Sequence, residues 1–299
     1  MKKFVYGKAI CYSGYRENQS PLTNKFPSYN QIKNDLLLLV KDYKYIRLYD
    51  PSKHAERTLK VIKDFGLDLK VMLGVDLLGE VDNPNCKWGG RQTLESIKHN
   101  KLVNKENLDK LVTLSNQYPD IIFSVSAGNE AVPEWNGNLV KPEKVLEYVK
   151  YLKKNCNQPV TYCDGGDYWT TILEEVAQEV DFISIHTYPA WNGYSIEDGL
   201  IEAKKDFQKV FDYYPNKDMI ITETGWPTSS DGKRMKKNFV GLDIQKQYIN
   251  EISQWSKDIN ILIFLFEAFD EPWKGGSDQK EPEKNWGLYY VDRVIKNKD

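Results

Sequence analysis

Ile121-Ile122-Phe123-Ser124-Val125-Ser126-Ala127-Gly128-Asn129-Glu130 is a short apolar run that ends on two polar side chains. A strand covered by helices on both faces reads as a near-continuous apolar run, because neither side of the sheet meets water. Moving outward, the same unit recurs on either side of it. Strand-like segments are expected at 5–12, 45–49 and 69–75 before it, and at 160–163, 182–187, 219–222 and 261–266 after it. The segments between them carry helix signals. Ser28 stands where a cap belongs, ahead of a helix that begins at Tyr29 and repeats Ile32, Leu36, Leu39 and Val40 at helical spacing. Pro51 opens a second helix with Leu59, Ile62 and Phe65 expected inward, and Gly66 stops it. Further helices are expected after Pro142, at 195–212 and at 239–255. The longest irregular stretch, 77–103, follows the third strand and holds Asn83-Pro84, Trp88 and Gly89-Gly90, with Trp88 expected to cover one end of a groove. Strands alternating with helices imply parallel pairing through crossovers. Eight such units without a linker predict one (β/α)8 barrel over residues 1–299.

Composition narrows the function. A formal net charge of -2 in 299 residues gives no basic excess for a nucleic acid or an anionic membrane. Nineteen Tyr and eight Trp are more flat, half-polar rings than a core requires, and some are free to line a carbohydrate groove. Cys11, Cys86, Cys156 and Cys163 form no C-x-x-C pair, and His54, His99 and His186 lie far apart. No metal and no cofactor is therefore expected, and the cysteines are read as buried thiols, with one disulfide as the alternative. No run reaches the roughly 18 apolar residues of a membrane helix. Met1-Lys2-Lys3 leaves no room for a leader before the first strand, so a secreted or cell-surface location presumes a leader already removed.

Barrel catalysts take their groups from the C-terminal ends of the strands. Those ends read Arg47-Leu48-Tyr49-Asp50, Gly128-Asn129-Glu130, His186-Thr187-Tyr188-Pro189, Glu223-Thr224-Gly225-Trp226-Pro227 and Glu267 to Lys274. Two carboxylates, Glu130 and Glu223, each follow an apolar run on opposite sides of the mouth. Cleaving a glycosidic bond needs one carboxyl to protonate the leaving oxygen and another to meet the anomeric carbon. A rim salt bridge would explain one of them. Two, flanked by Asn129 and Trp226, point to glycoside hydrolysis.

At these residues the chain resembles the family 17 glycoside hydrolases. The matching segments are Ile10-Cys11-Tyr12, Arg47-Leu48-Tyr49, Gly128-Asn129-Glu130, Ile221 through Pro227 and Trp286-Gly287-Leu288. The resemblance implies a retaining hydrolase of β-1,3-glucan, with Glu130 as acid/base and Glu223 as nucleophile. It further implies that Asn129 meets the 2-hydroxyl of the sugar, and that Arg47 and Tyr49 lie near the nucleophile. Tyr12 and Tyr188 become barrel-mouth aromatics, and Glu271, Lys274 and Glu283 charged groups around the centre, with Lys274 expected to keep Glu223 ionised. His186 stands where plant members carry Asn, and the segment from Phe266 to Trp273 resembles the bacterial and fungal branches. Trp191 and Trp273 are expected to stack on glucosyl rings. Trp226 is counted with the substrate-binding groups, although packing under the nucleophile suits it better, and Trp286 is weighed between stacking on a glucosyl ring and packing the loops over the barrel top. The expected partner is a β-glucan chain, and the protein is expected to be a monomer.

Other readings fit less well. A catalytically silent glucan-binding barrel would lack Glu130 or Glu223. A barrel for phosphorylated substrates would use Gly275-Gly276-Ser277, but Asp270, Glu271, Asp278 and Glu281 would repel phosphate. The alternative that shares the chemistry is a β-glucan transglycosylase, in which a sugar replaces water as acceptor.

Overall fold

In a computed structural model of the protein, which describes residues 4, 6–87 and 89–297, the strands pair in chain order and close on themselves. They are β1 (Ala9–Cys11), β2 (Tyr45–Leu48), β3 (Lys70–Gly74), β4 (Ile122–Asn129), β5 (Val160–Gly165), β6 (Ile183–His186), β7 (Met219–Thr224) and β8 (Ile263–Leu265). Every pairing is parallel, and β1 closes the barrel on β8 through Ala9 opposite Phe264 and Ile10 opposite Leu265. Around this wall lie α1 (Tyr29–Leu39), α2 (Lys53–Phe65), α3 (Leu94–Gln117), α4 (Pro142–Asn155), α5 (Gly166–Trp169), α6 (Glu174–Glu179), α7 (Ile196–Tyr213) and α8 (Leu242–Asp258). The expected barrel is present.

Local chemistry sets the helix starts. Ser28 accepts from the Gln31 amide while the Gln31 side chain accepts from the Ser28 amide, a reciprocal cap on α1. Ser52 and Thr93 cap α2 and α3 in the simpler one-way manner; such a cap contributes about 1 kcal/mol. Gly66 ends α2 in the left-handed region, at φ 56°. Ile32, Leu36 and Leu39 of α1 and Leu59 and Ile62 of α2 are buried against the barrel.

Several expectations need correction. The first strand is three residues, not eight, and Val5 lies outside the described residues, as do Met1, Lys2, Lys3 and Trp88. Phe65 does not face inward; it is 46 % exposed at the last turn of α2. The irregular stretch after β3 ends at Thr93 instead of running to 103. Its last ten residues form the start of α3, where Leu94 and Leu102 are exposed and burial begins only at Asn104. That segment has no apolar stripe, so periodicity could not reveal it. The short α5 and α6 likewise escaped notice. β7 runs two residues further than expected, which puts Glu223 within the strand rather than after it. Cys11 and Cys163 are buried thiols, but Cys86 and Cys156 are only half-buried. Among the described residues no helix is long and apolar enough to cross a membrane.

Candidate active site

The C-terminal ends of β2, β4, β6 and β7 converge on one constellation. Glu223 of β7 is paired from the end of β2 across the barrel and from the segment after the adjacent β6. Arg47 Nη1 donates to its Oε1, Tyr49 donates to the same oxygen at 2.9 Å, and Tyr188 donates to Oε2 at 2.5 Å. Arg47 also donates to the Asn129 Oδ1 at 2.5 Å, which fixes that amide and leaves its NH2 for another partner. His186 completes the set, with Nδ1 2.9 Å from Glu130 Oε1 and 3.5 Å from Glu223 Oε2. One carboxylate oxygen of Glu130, one of Glu223 and a ring nitrogen of His186 all lie within 4.8 Å of one another.

The two carboxyls differ in environment. The Glu130 side chain is 24 % exposed, whereas that of Glu223 is 5 % exposed. Burial alone would push the Glu223 carboxyl up. The charges of His186 and Arg47, with hydrogen bonds from Tyr188 and Arg47, overturn this and hold it down at about 2. His186 mirrors it. Burial would lower the imidazole, but chiefly the Glu223 charge, and then hydrogen bonding and the Glu130 charge, raise it to about 10. These three groups have the residue types of a cation site. However, Arg47 and Tyr49 already donate to one oxygen of Glu223 and Tyr188 to the other, so the arrangement does not suit a metal ion.

A pH dependence follows from the raised imidazole. An unfolded His titrates near 6.5 and the folded one near 10. Its stabilising contribution is therefore complete below pH 6.5 and is lost as pH rises through about 10. Thermal unfolding followed from pH 6.5 to 10 is expected to show a falling midpoint that His186→Asn flattens. An identical slope in that variant would mean the ring is neutral.

A second charged group stands beside the first. Lys274 pairs with Glu271 at 2.5 Å and with Glu267 at 3.2 Å. Burial, then the Glu271 charge, pushes Glu267 well above its ordinary value, while Lys274 overcomes burial to lower Glu271. Lys274 does not bond Glu223, so the expectation that it keeps the nucleophile ionised is corrected: His186 and Arg47 do that. Glu283, in the short turn Pro282–Lys284, is raised chiefly by burial, with Lys274 and Arg234 opposing and Glu130 and Glu223 adding. It belongs to the same cleft.

Three aromatics expected near the sugar are elsewhere. Tyr12 is fully buried, and its hydroxyl donates to Asp35 of α1 at 3.1 Å. Trp226 is fully buried, donates to the Phe239 carbonyl at 2.7 Å and packs on Tyr248. The preceding Gly225 explains the Glu-Thr-Gly-Trp run, since a Cβ there would stand 2.0 Å from the Phe266 carbonyl oxygen. Trp286 is also sealed, lying against Tyr188 and Trp191. Trp191 and Trp273 remain half-buried, and Trp273 donates to Glu271 at 3.0 Å.

Two residues of the cleft escaped the reading of strand ends. Asp76, just beyond β3, is exposed and lies within charge range of Asp50, Glu130 and Arg47. Its position one residue past an apolar run was the available signal. Trp135, five residues after Glu130, is 49 % exposed. Nothing in its spacing set it apart.

Comparison with known proteins shows the family to which the chain belongs. The model of the BtgE/BtgC glycoside hydrolase domain matches residues 9–287. A putative glucan endo-1,3-beta-glucosidase of Aspergillus niger is 29 % identical over 301 residues, covering 93 % of this chain and 41 % of that protein. A probable enzyme of the same description from Aspergillus terreus is 26 % identical, covering 93 % and 43 %. The chain thus spans about two fifths of the length of these curated relatives. An endo-laminarinase structure from Formosa superposes with a TM-score of 0.81 at 24 % identity, covering 97 % of this chain and 84 % of that one. A family 17 β-1,3-glucanosyltransferase from Rhizomucor miehei superposes with a TM-score of 0.75 at 21 % identity, covering 98 % and 95 %. At such identities the likeness to solved structures is one of fold.

Proposed function

From the premise that this chain belongs to the BtgE/BtgC glycoside hydrolase domain family, we propose that it cleaves β-1,3-linked glucan with retention, through a covalent glycosyl-enzyme. One observation carries this reading. Oxygens of Glu130 and Glu223 lie within 4.8 Å, which suits a double displacement, for which the carboxyls stand about 5–5.5 Å apart. An inverting pair needs about 6.5–9.5 Å to seat a water between acid and base. The relatives' descriptions as glucan endo-1,3-beta-glucosidases, and the laminarinase and glucanosyltransferase folds, support the choice of glucan.

In this mechanism Glu223, kept ionised and aimed by Arg47, Tyr49 and Tyr188, attacks the anomeric carbon. Glu130 accepts from His186 at Oε1, and its Oε2 carries the proton passed to the departing oxygen. The Asn129 NH2, oriented by Arg47, donates to the 2-hydroxyl, where the bond strengthens as positive charge develops. Esterification of Glu223 removes the charge on which His186 most depends, and the ionised Glu130 then takes a proton from water. Trp135, Trp191 and Trp273 offer ring faces to glucosyl units along the cleft, and Glu271, Lys274, Glu283 and Asp76 meet hydroxyls. A polymeric substrate is consistent with action in a secreted, periplasmic or cell-surface setting.

The anomer first released decides the mechanism. Proton NMR during hydrolysis of laminarioligosaccharides is expected to show the β-anomer before mutarotation. An α-anomer appearing first rules out retention. Chromatography of the same digest separates hydrolysis from transfer, since chains longer than the input mean that sugar competes with water.

A further inference from the structure

Glu130 is held in a backbone conformation that a glutamate does not choose. Its φ is 45°, in the left-handed region where a side chain crowds its own carbonyl, so neighbours must hold it there. The polar groups of this peptide and the two amides after it are engaged. The Glu130 N–H donates to the Cys163 carbonyl at 2.9 Å, and its own carbonyl accepts from Asn136 Nδ2 at 2.5 Å. The next two amides, of Ala131 and Val132, donate to the Tyr162 hydroxyl at 2.7 and 3.2 Å. Asn136 is itself fixed: its Oδ1 accepts from the Asn138 amide at 2.8 Å and its backbone N–H donates to Pro133. Across from it, Asn83 in the loop after β3 is buried, and its NH2 donates to the carbonyls of Glu134 at 2.7 Å and Asn136 at 3.0 Å. The two loops meet so closely that a Cβ on Gly137 would lie 2.7 Å from the Gly89 carbonyl oxygen.

We propose that Asn136, clamped from the neighbouring loop by Asn83, is a positioning residue that holds the acid/base Glu130 in its proton-delivering geometry. The proposal rests on the acid/base assignment made above. Relaxing Glu130 to a negative φ breaks its carbonyl bond to Asn136 and swings the carboxyl from His186. Proton transfer needs a reach of about 2.6–3.2 Å, so delivery fails first. Glu223 is held by Arg47, Tyr49 and Tyr188 from other strands, and its attack survives. The defect is therefore confined to the steps that move a proton.

Substrates that differ only in leaving group read this. Asn136→Asp keeps the acceptor for Asn138 but replaces the donor facing the Glu130 carbonyl by an oxygen. Its kcat/KM on laminarin is expected to fall about 10²-fold, the scale of an ångström-level misplacement, and on 2,4-dinitrophenyl β-laminaribioside less than about threefold. Azide is expected to raise its turnover of the aryl substrate and to yield the β-glycosyl azide, because the anion attacks the glycosyl-enzyme without a base. Asn83→Ala, which touches no catalytic group, is expected to show the same leaving-group dependence on a smaller scale. Equal losses on both substrates, or no loss in either variant, overturn the proposal. Glu130→Ala serves as reference: if it lacks the leaving-group dependence, the acid/base assignment fails, and if it alone shows it, only the positioning role does.

Discussion

Glu223→Ala is expected to lose at least about 10⁴-fold in kcat on laminarin and on aryl β-glucosides alike, as removal of a covalent nucleophile does. An activated leaving group cannot help, since no atom remains to attack carbon. The deletion leaves a pocket facing Arg47, Tyr49 and Tyr188, three donors that now bind nothing anionic. Azide or formate fits that pocket and supplies the missing nucleophile to an aryl β-glucoside: a bond forms to the anomeric carbon as the aryloxide leaves. The azide product should have the α configuration, because one displacement inverts. A β product, or residual activity above a tenth of the parent, removes Glu223 from the nucleophile's place.

Arg47→Met is the second large effect, and it is felt twice. The Arg47 and Glu223 side chains are 3 % and 5 % exposed, so water does not screen the pair. Truncating one partner of a buried ion pair costs about 3–5 kcal/mol. Part of this is recovered when Glu223 takes up a proton, and that proton is the second effect. Glu223 is held down at about 2 by His186 and Arg47. With one of the two gone, its folded value rises, and the acid limb of kcat/KM moves to higher pH. In the parent, a depressed carboxyl stabilises the fold above its unfolded value near 4.5, and this is lost as pH falls through about 2. The variant loses that contribution at a higher pH. Urea unfolding at neutral pH and a pH–rate profile measure both. An unmoved acid limb means that His186 alone sets the nucleophile's charge. Arg47→Lys is expected to fall between the two, as one ammonium cannot reach Glu223 and Asn129 together in the way a guanidinium does.

His186 illustrates a residue whose type was readable and whose role was not. Its presence at the end of the sixth strand, in place of the Asn of plant members, was plain in the chain. That it touches both carboxyls, and that they keep it charged, depends on β4, β6 and β7 converging. Lys274 shows the opposite outcome. The family resemblance implied that Lys274 keeps Glu223 ionised, but Glu271 and Glu267 lie nearer and take it.

Strand alternation and the groups that end strands are properties of consecutive residues. They determined the barrel and singled out Glu130 and Glu223, because a covered parallel strand must be apolar until it reaches the mouth. Which side chains meet there was decided by the closed sheet, which brings positions 47, 130, 186 and 223 within bonding reach across separations no local pattern encodes. The same closure buried Tyr12 and Trp226 away from the cleft and set Asn83 against Asn136. Burial and pairing depend on what lies opposite in space, and that belongs to the tertiary structure alone.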